Sequence, residues 1–117
     1  APAPIGPYNQ AISAGNTLFI SGQIPVDPGT GQLIKGDVRD ETHQVMKNLK
    51  AILNAAGMDF SHVVKTSIFV TDMNNFGDVN EVYGKYFDNG NFPARETVQV
   101  TALPKAVQVE ISMIAVK

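Results

Sequence analysis

The C-terminal stretch VQVEISMIAV (Val107–Val116) alternates with period two, and this leaves the chain few choices of fold. Val107, Val109, Ile111, Met113 and Ala115 fall on one face of an extended strand. Gln108, Glu110 and Ser112 share the opposite face with Ile114 and Val116. The first face demands an apolar layer packed against it. Two stretches have the spacing to supply one. Val45, Met46, Leu49, Ile52, Leu53 and Ala56 recur at helical intervals, with Asp37 placed to cap the start and Gly57 to stop it. A helix is therefore expected over about Val38–Ala56. A second is expected from near Asn74 or Asn75, with Phe76, Val79, Tyr83, Tyr86 and Phe87 as its apolar stripe.

Further strands fill out the sheet. Asn9–Ala14 and Thr17–Gly22 are joined at Gly15-Asn16, a dipeptide suited to a tight hairpin. The β-branched run Val63–Val70 and the alternating segment Arg95–Thr101 supply two more. The segment Val26–Gly36, VDPGTGQLIKG, is turn-rich and reads as a loop or a very short strand. Its glycines suggest a phosphate loop only superficially, because it opens no helix directly and lacks the Gly-Lys-Ser/Thr ending. The order is that of an α+β sandwich with two helices available for one sheet. Those helices cover one face. The other carries Phe19 beside Thr17 and Ser21, together with Ile114 and Val116. Such a face is too apolar to stay wet over its whole area, and partner subunits are the simplest cover.

The 117 residues make a single domain, 1–117. A net charge of −2 without runs of like charge leaves no footprint for nucleic acid and none for a membrane surface. No apolar run approaches the ~20 residues of a membrane span. The chain has no cysteine, which rules out disulfides, thiolate metal sites and cysteine nucleophiles. His43 reads as a helix flank and His62 as a strand entry, with no second ligand at metal-binding spacing, so no metal is expected. APAPIGPYNQ lacks the basic-then-apolar layout of a signal peptide, and a cytoplasmic location is expected.

Arg95 is one of only two arginines and stands where an irregular stretch turns into a strand. If the last two strands pair as a hairpin about Leu103-Pro104, Arg95 lies opposite Ser112, Thr97 opposite Glu110, and Gln99 opposite Gln108. Arg95 and Glu110 then become diagonal neighbours about 7–8 Å apart at the backbone. They form a plain salt bridge, or they straddle a small ligand whose carboxylate the guanidinium grips while Glu110 handles a proton or a water. The residues alone favour the ion pair, since most such neighbours do nothing more. Asn80 edges the stripe of the second helix and reads first as a helix–sheet hydrogen bond, second as a ligand contact.

Six segments then combine. IGPYNQAI, FISGQIPVDPGTG, NLKAILNAAG, VVKTSIFVTDMNNF, FPARETVQV and VEISMIAV, running in order from Ile5 to the end, together resemble the reactive intermediate deaminase family (RidA/YjgF). The resemblance implies a chorismate-mutase-like α+β fold: one mixed β-sheet with two helices on one face. It further implies a homotrimer with a barrel core and sites in clefts between subunits. The implied activity is hydrolysis of enamine and imine acids, such as 2-aminoacrylate and 2-iminobutyrate, to 2-oxo acids and ammonia, with no cofactor.

By the same resemblance Arg95 holds the substrate carboxylate and Glu110 positions the attacking water. The main chain at Thr97 helps hold ligand and water, Tyr8, Ser21 and Asn80 line the pocket, and Phe19 supplies apolar wall. The chain departs from the family pattern at Thr97, where many relatives carry cysteine, and at Glu96, where serine is frequent. An imine carbon beside a carboxylate is already electrophilic. The protein needs to hold the anion and place one water about 3 Å from that carbon, next to a carboxylate. The alternative reading is a non-catalytic trimer that binds 2-oxo acids or acts as a chaperone-like module. A ribonuclease reading, attached to some relatives, finds no support in a net charge of −2.

Overall fold

A computed structural model describes residues 1–34 and 36–117. Strands β1 (Ala11–Ala14), β2 (Thr17–Gln23), β3 (Val63–Val70), β4 (Ala94–Gln99) and β5 (Val109–Val116) form one mixed sheet in the order β1-β2-β5-β3-β4. The patterned C-terminal strand occupies the centre. Helices α1 (Val38–Ala55) and α2 (Phe76–Gly84) lie against one face. Val45, Met46, Leu49 and Leu53 of α1 are fully buried with Ile68, Val70, Val109, Ile111 and Met113 of the sheet. No helix among the described residues is long and apolar enough to cross a membrane.

Local chemistry accounts for the element ends. The Asp37 carboxylate accepts from Asp40 N at 3.0 Å and the Asp40 carboxylate accepts from Asp37 N at 3.3 Å, a reciprocal cap on α1. Gly57, at φ +72°, closes that helix. Ala14 pairs with Thr17 across a two-residue turn whose Gly15 sits at φ +59°. In the turn-rich segment Val26 and Leu33 make an isolated antiparallel bridge, and Gly31 N donates to Asp27 O at 2.8 Å; Lys35 lies outside the described residues. The second helix is shorter than its stripe suggested. It ends at Gly84, and Tyr86 and Phe87 follow in a turn where Phe87 stays buried against Tyr83, ring centres 4.8 Å apart.

One expectation is overturned. β4 does not pair with β5; β3 lies between them. α2 carries the chain back across the sheet, so β4 starts at the same end as β3 and runs parallel to it. The connection from β4 to β5, with its short 3-10 turn at Pro104–Ala106, is also longer than hairpin loops of about 2–5 residues. The register is Thr66↔Arg95 and Ile68↔Thr97 on one side of β3, Thr66↔Met113 and Phe69↔Glu110 on the other. Laterally paired residues share a face. Arg95 and Thr97 therefore lie on the helix side of the sheet, and Glu110 lies on the opposite side beside Phe69 and Val98.

That opposite side is open. Ile12, Phe19 and Ile114 form one cross-strand row on it, with Ile12 52% and Phe19 48% exposed. Lys65 and Glu96 bridge there at 2.7 Å, and the Ser67 hydroxyl also donates to Glu96. Glu96 is thus occupied on the face away from Arg95.

Candidate functional site

The arginine half of the site is built by α2 against the edge strand β4. Phe76, Asn80 and Tyr83 recur at helical spacing and present one stripe to Arg95. Asn80 Oδ1 accepts from Arg95 Nη1 at 2.6 Å. The guanidinium carbon lies 5.7 Å from the Phe76 ring centre and 5.2 Å from that of Tyr83, within cation–π range. Tyr83 is itself fixed, because its hydroxyl donates to the Thr66 hydroxyl at 3.0 Å and Thr66 pairs with Arg95 across the strands. Burial pushes the Tyr83 phenol above its usual range, so it stays a protonated donor.

The other arginine behaves differently. Arg39 is bound by Asp78 at 3.2 Å and Glu81 at 3.0 Å, joining α1 to α2. Among the described residues Arg95 has no carboxylate partner, and it borders a cavity of about 330 Å³ with Asn80, Tyr83, Gly84, Phe92 and Pro93. The Thr97 hydroxyl, on the same face, is buried without a hydrogen-bond partner among the described residues.

The glutamate half lies on the other side of the sheet. β2 changes register against β5 between Ile20 and Gln23, and Gly22 sits in that irregularity. A Cβ added at Gly22 would lie 2.6 Å from Glu110 Oε2 and 2.7 Å from its carboxyl carbon. Glu110 therefore lies flat against the bare backbone of Gly22. Burial raises its pKa above the ordinary 4.5. Gly22 also borders a cavity of about 320 Å³ with Tyr8, Gln10 and Gln23. Tyr8 is 43% exposed there, and its hydroxyl accepts from Ile5 N at 3.4 Å. The Ser21 hydroxyl, beside Gly22, donates to Asn9 O at 2.7 Å. Phe19 borders neither cavity and belongs to the open face.

The residues expected at the site thus form two groups. Arg95 and Asn80 meet on the helix side, where Thr97 shares the face of β4; Tyr8, Ser21 and Glu110 gather around Gly22 on the other. The diagonal pairing of Arg95 with Glu110 is corrected: β3 separates their strands and they point to opposite faces, so within one chain they make no ion pair. The sequence reading did not single out Gly22, whose backbone the Glu110 carboxylate lies against. The available signal was a glycine inside a strand, which marks a bulge or a close approach. It also missed Phe76 and Tyr83 as the bracket of Arg95, having assigned both to the core. His43 contacts the Tyr86 hydroxyl at 3.0 Å and His62 contacts Asp59 at 3.3 Å, and neither lines the cavity beside Arg95 or that beside Gly22.

An aromatic-bracketed arginine without a carboxylate partner among the described residues, on the edge strand of a five-stranded mixed sheet carrying two helices, marks the class as a small α+β domain. The comparisons narrow it. Residues 1–117 match the family model described as Endoribonuclease L-PSP. The chain is 54% identical over 117 residues to 2-iminobutanoate/2-iminopropanoate deaminase of Mus musculus, covering 100% of this chain and 86% of that one. The Homo sapiens protein of the same name is 50% identical, with 100% and 85% covered. RidA from the Antarctic bacterium Psychrobacter sp. PAMC 21119 superposes with a TM-score of 0.95 at 44% identity, covering 100% and 94%. Escherichia coli TdcF, solved with bound serine, gives 0.94 at 45% identity, covering 100% and 93%. The chain belongs to the Endoribonuclease L-PSP family, that of the reactive intermediate deaminases.

Proposed function

We propose that the protein hydrolyses small 2-imino acids, and the enamines that tautomerise to them, to 2-oxo acids and ammonia. The observation that carries this reading is Arg95, a guanidinium oriented by Asn80, Phe76 and Tyr83 yet without a carboxylate of its own chain among the described residues. Its fork suits the substrate carboxylate. The mammalian relatives' name supports the same chemistry. Glu110 serves as the base: a water oxygen bonds to C2 as the C=N π pair moves to nitrogen, one water proton passes to the carboxylate, and the carboxyl returns that proton to the nitrogen. The hydroxyl proton of the resulting carbinolamine then passes through Glu110 to the amino nitrogen, the C–N bond breaks as C2–O becomes the carbonyl, and ammonia leaves. The orphaned Thr97 hydroxyl and the nearby main chain offer polar contacts for ligand or water. A net charge of −2 gives no reason to assign an RNA substrate.

Arg95 and Glu110 act together only if a neighbouring subunit supplies one of them, which is why the proposal includes a homotrimer with sites between subunits. The open apolar row Ile12–Phe19–Ile114 is the surface such an assembly would bury. Light scattering or native mass spectrometry at micromolar concentration is expected to find three chains per particle. A well-folded monomer would remove the shared site.

The direct test is ammonia release from enzymatically generated 2-iminobutyrate. Hydrolysis no faster than in buffer would favour the non-catalytic trimer that only binds 2-oxo acids. Gly22→Ala gives a finer test, because a methyl group there must displace the Glu110 carboxylate. Its kcat is expected to fall by about tenfold or more while 2-oxobutyrate binding persists. Unchanged kcat would mean that Glu110 does not act from the position seen.

A further inference from the structure

The cavity beside Arg95 has both polar and apolar lining. Arg95 and Asn80 supply its polar lining, and Tyr83, Gly84, Phe92 and Pro93 the remainder. Phe92 is 58% exposed at this cavity, so its ring face is accessible to a ligand there. The ring is also held in place. It packs on Phe87 at 5.9 Å between centres, and Phe87 packs on Tyr83 at 4.8 Å. An aromatic row thus runs from the partner of the guanidinium out to the cavity rim.

Gly84 lines the same cavity. It follows Asn80 by four residues, so the two lie one turn apart on the same face of α2. Helical side chains lean toward the N-terminus, and any side chain at position 84 leans back toward Asn80 and the cavity. A Cβ added there meets no heavy atom within 4 Å, and Gly84 is not among the glycines with positive φ. Neither packing nor backbone geometry requires glycine at this position. Its consequence is open space next to the carboxylate grip.

We propose that Gly84 and Phe92 set the side-chain specificity of the site. In this arrangement the alkyl group of a 2-imino acid lies between the Phe92 ring and the bare helix at Gly84 while its carboxylate sits on Arg95. The subsite takes branched or longer apolar chains, not only the three- and four-carbon acids. The inference rests on the imine-hydrolysis reading for its substrate, though the subsite itself is defined by binding.

The test uses the intact protein, Gly84→Leu and Phe92→Ala. Calorimetry is run with pyruvate and with 4-methyl-2-oxopentanoate, and hydrolysis is followed for imines generated in situ from alanine and leucine by an amino-acid oxidase. The parent is expected to bind the six-carbon acid at least as tightly as pyruvate. Gly84→Leu should weaken the six-carbon acid by about tenfold or more and leave pyruvate within about threefold, since fitting each carbon in such a pocket is worth at least that order. Phe92→Ala should weaken the longer acid selectively by removing the wall it lies on. The ratio between the two acids is the decisive reading, because a general loss of structure lowers both. Equal loss for both acids, or no loss for either, overturns the subsite. If the parent hydrolyses no imine yet the binding ratio shifts as stated, the subsite stands and the deaminase reading falls.

Discussion

Arg95→Ala is expected to lower kcat/KM for 2-iminobutyrate hydrolysis by about 3–4 kcal/mol, with a large KM component. A charge-assisted bidentate pair contributes about 1.5–3 kcal/mol, and the rest is lost positioning of the imine carbon. The surroundings sharpen the forecast. Asn80 uses one donor of the guanidinium, and Phe76 and Tyr83 hold its plane, so the remaining N–H groups are presented without a cost in ordering them. Arg95→Lys should rescue poorly, because an ammonium keeps the charge and loses both the fork and the stacking. Steady-state kinetics beside calorimetric binding of 2-oxobutyrate check this. If Arg95→Ala binds the oxo acid as tightly as the parent, the arginine does not hold the carboxylate.

Glu110→Gln is expected to act on the other parameter. Gln preserves size and hydrogen bonding and removes the base, so kcat should fall by about 10²- to 10⁴-fold while 2-oxobutyrate binds nearly as before. Full activity in this variant would end the assignment. The wild-type pH profile carries a signature of the same residue. Burial disfavours the charged carboxylate and raises its pKa above 4.5. The base works only when ionised, so activity is present above the raised value and is lost as pH falls through it. Bound substrate supplies a carboxylate to neutralise the arginine, which leaves burial as the dominant influence on Glu110. The acid limb of kcat is therefore expected above 4.5, higher than for an exposed glutamate.

Much of the architecture is written locally. The strand Val63–Val70 and the helix beginning at Val38 appear where β-branched residues and the Asp37 cap place them. The alternation of Val109, Ile111, Met113 and Ala115 dictates a strand with one fully buried face, and the half-apolar reverse face is legible in Phe19 and Ile114. Arg95 and Thr97 do share one side of a strand, as period two requires. These features depend on residues only a few positions apart, so sequence spacing is enough to determine them.

Which side of the sheet that strand turns toward the helices is another matter. Period two assigns Arg95 and Thr97 to one face but does not say which neighbour the strand will have. The crossover through α2 decided it, putting β4 parallel to β3 and sending Arg95 to Asn80 and Tyr83 rather than to Glu110. The contact of Glu110 with Gly22 joins residues far apart in the chain through a register change in β2. Such contacts arise when whole elements pack, and the free energy that selects them is spread over the buried core rather than encoded near either residue. Residue types alone thus marked Arg95 and Glu110 and favoured an ion pair between them, the family resemblance gave them their expected roles, and the tertiary structure placed them on opposite faces of one sheet.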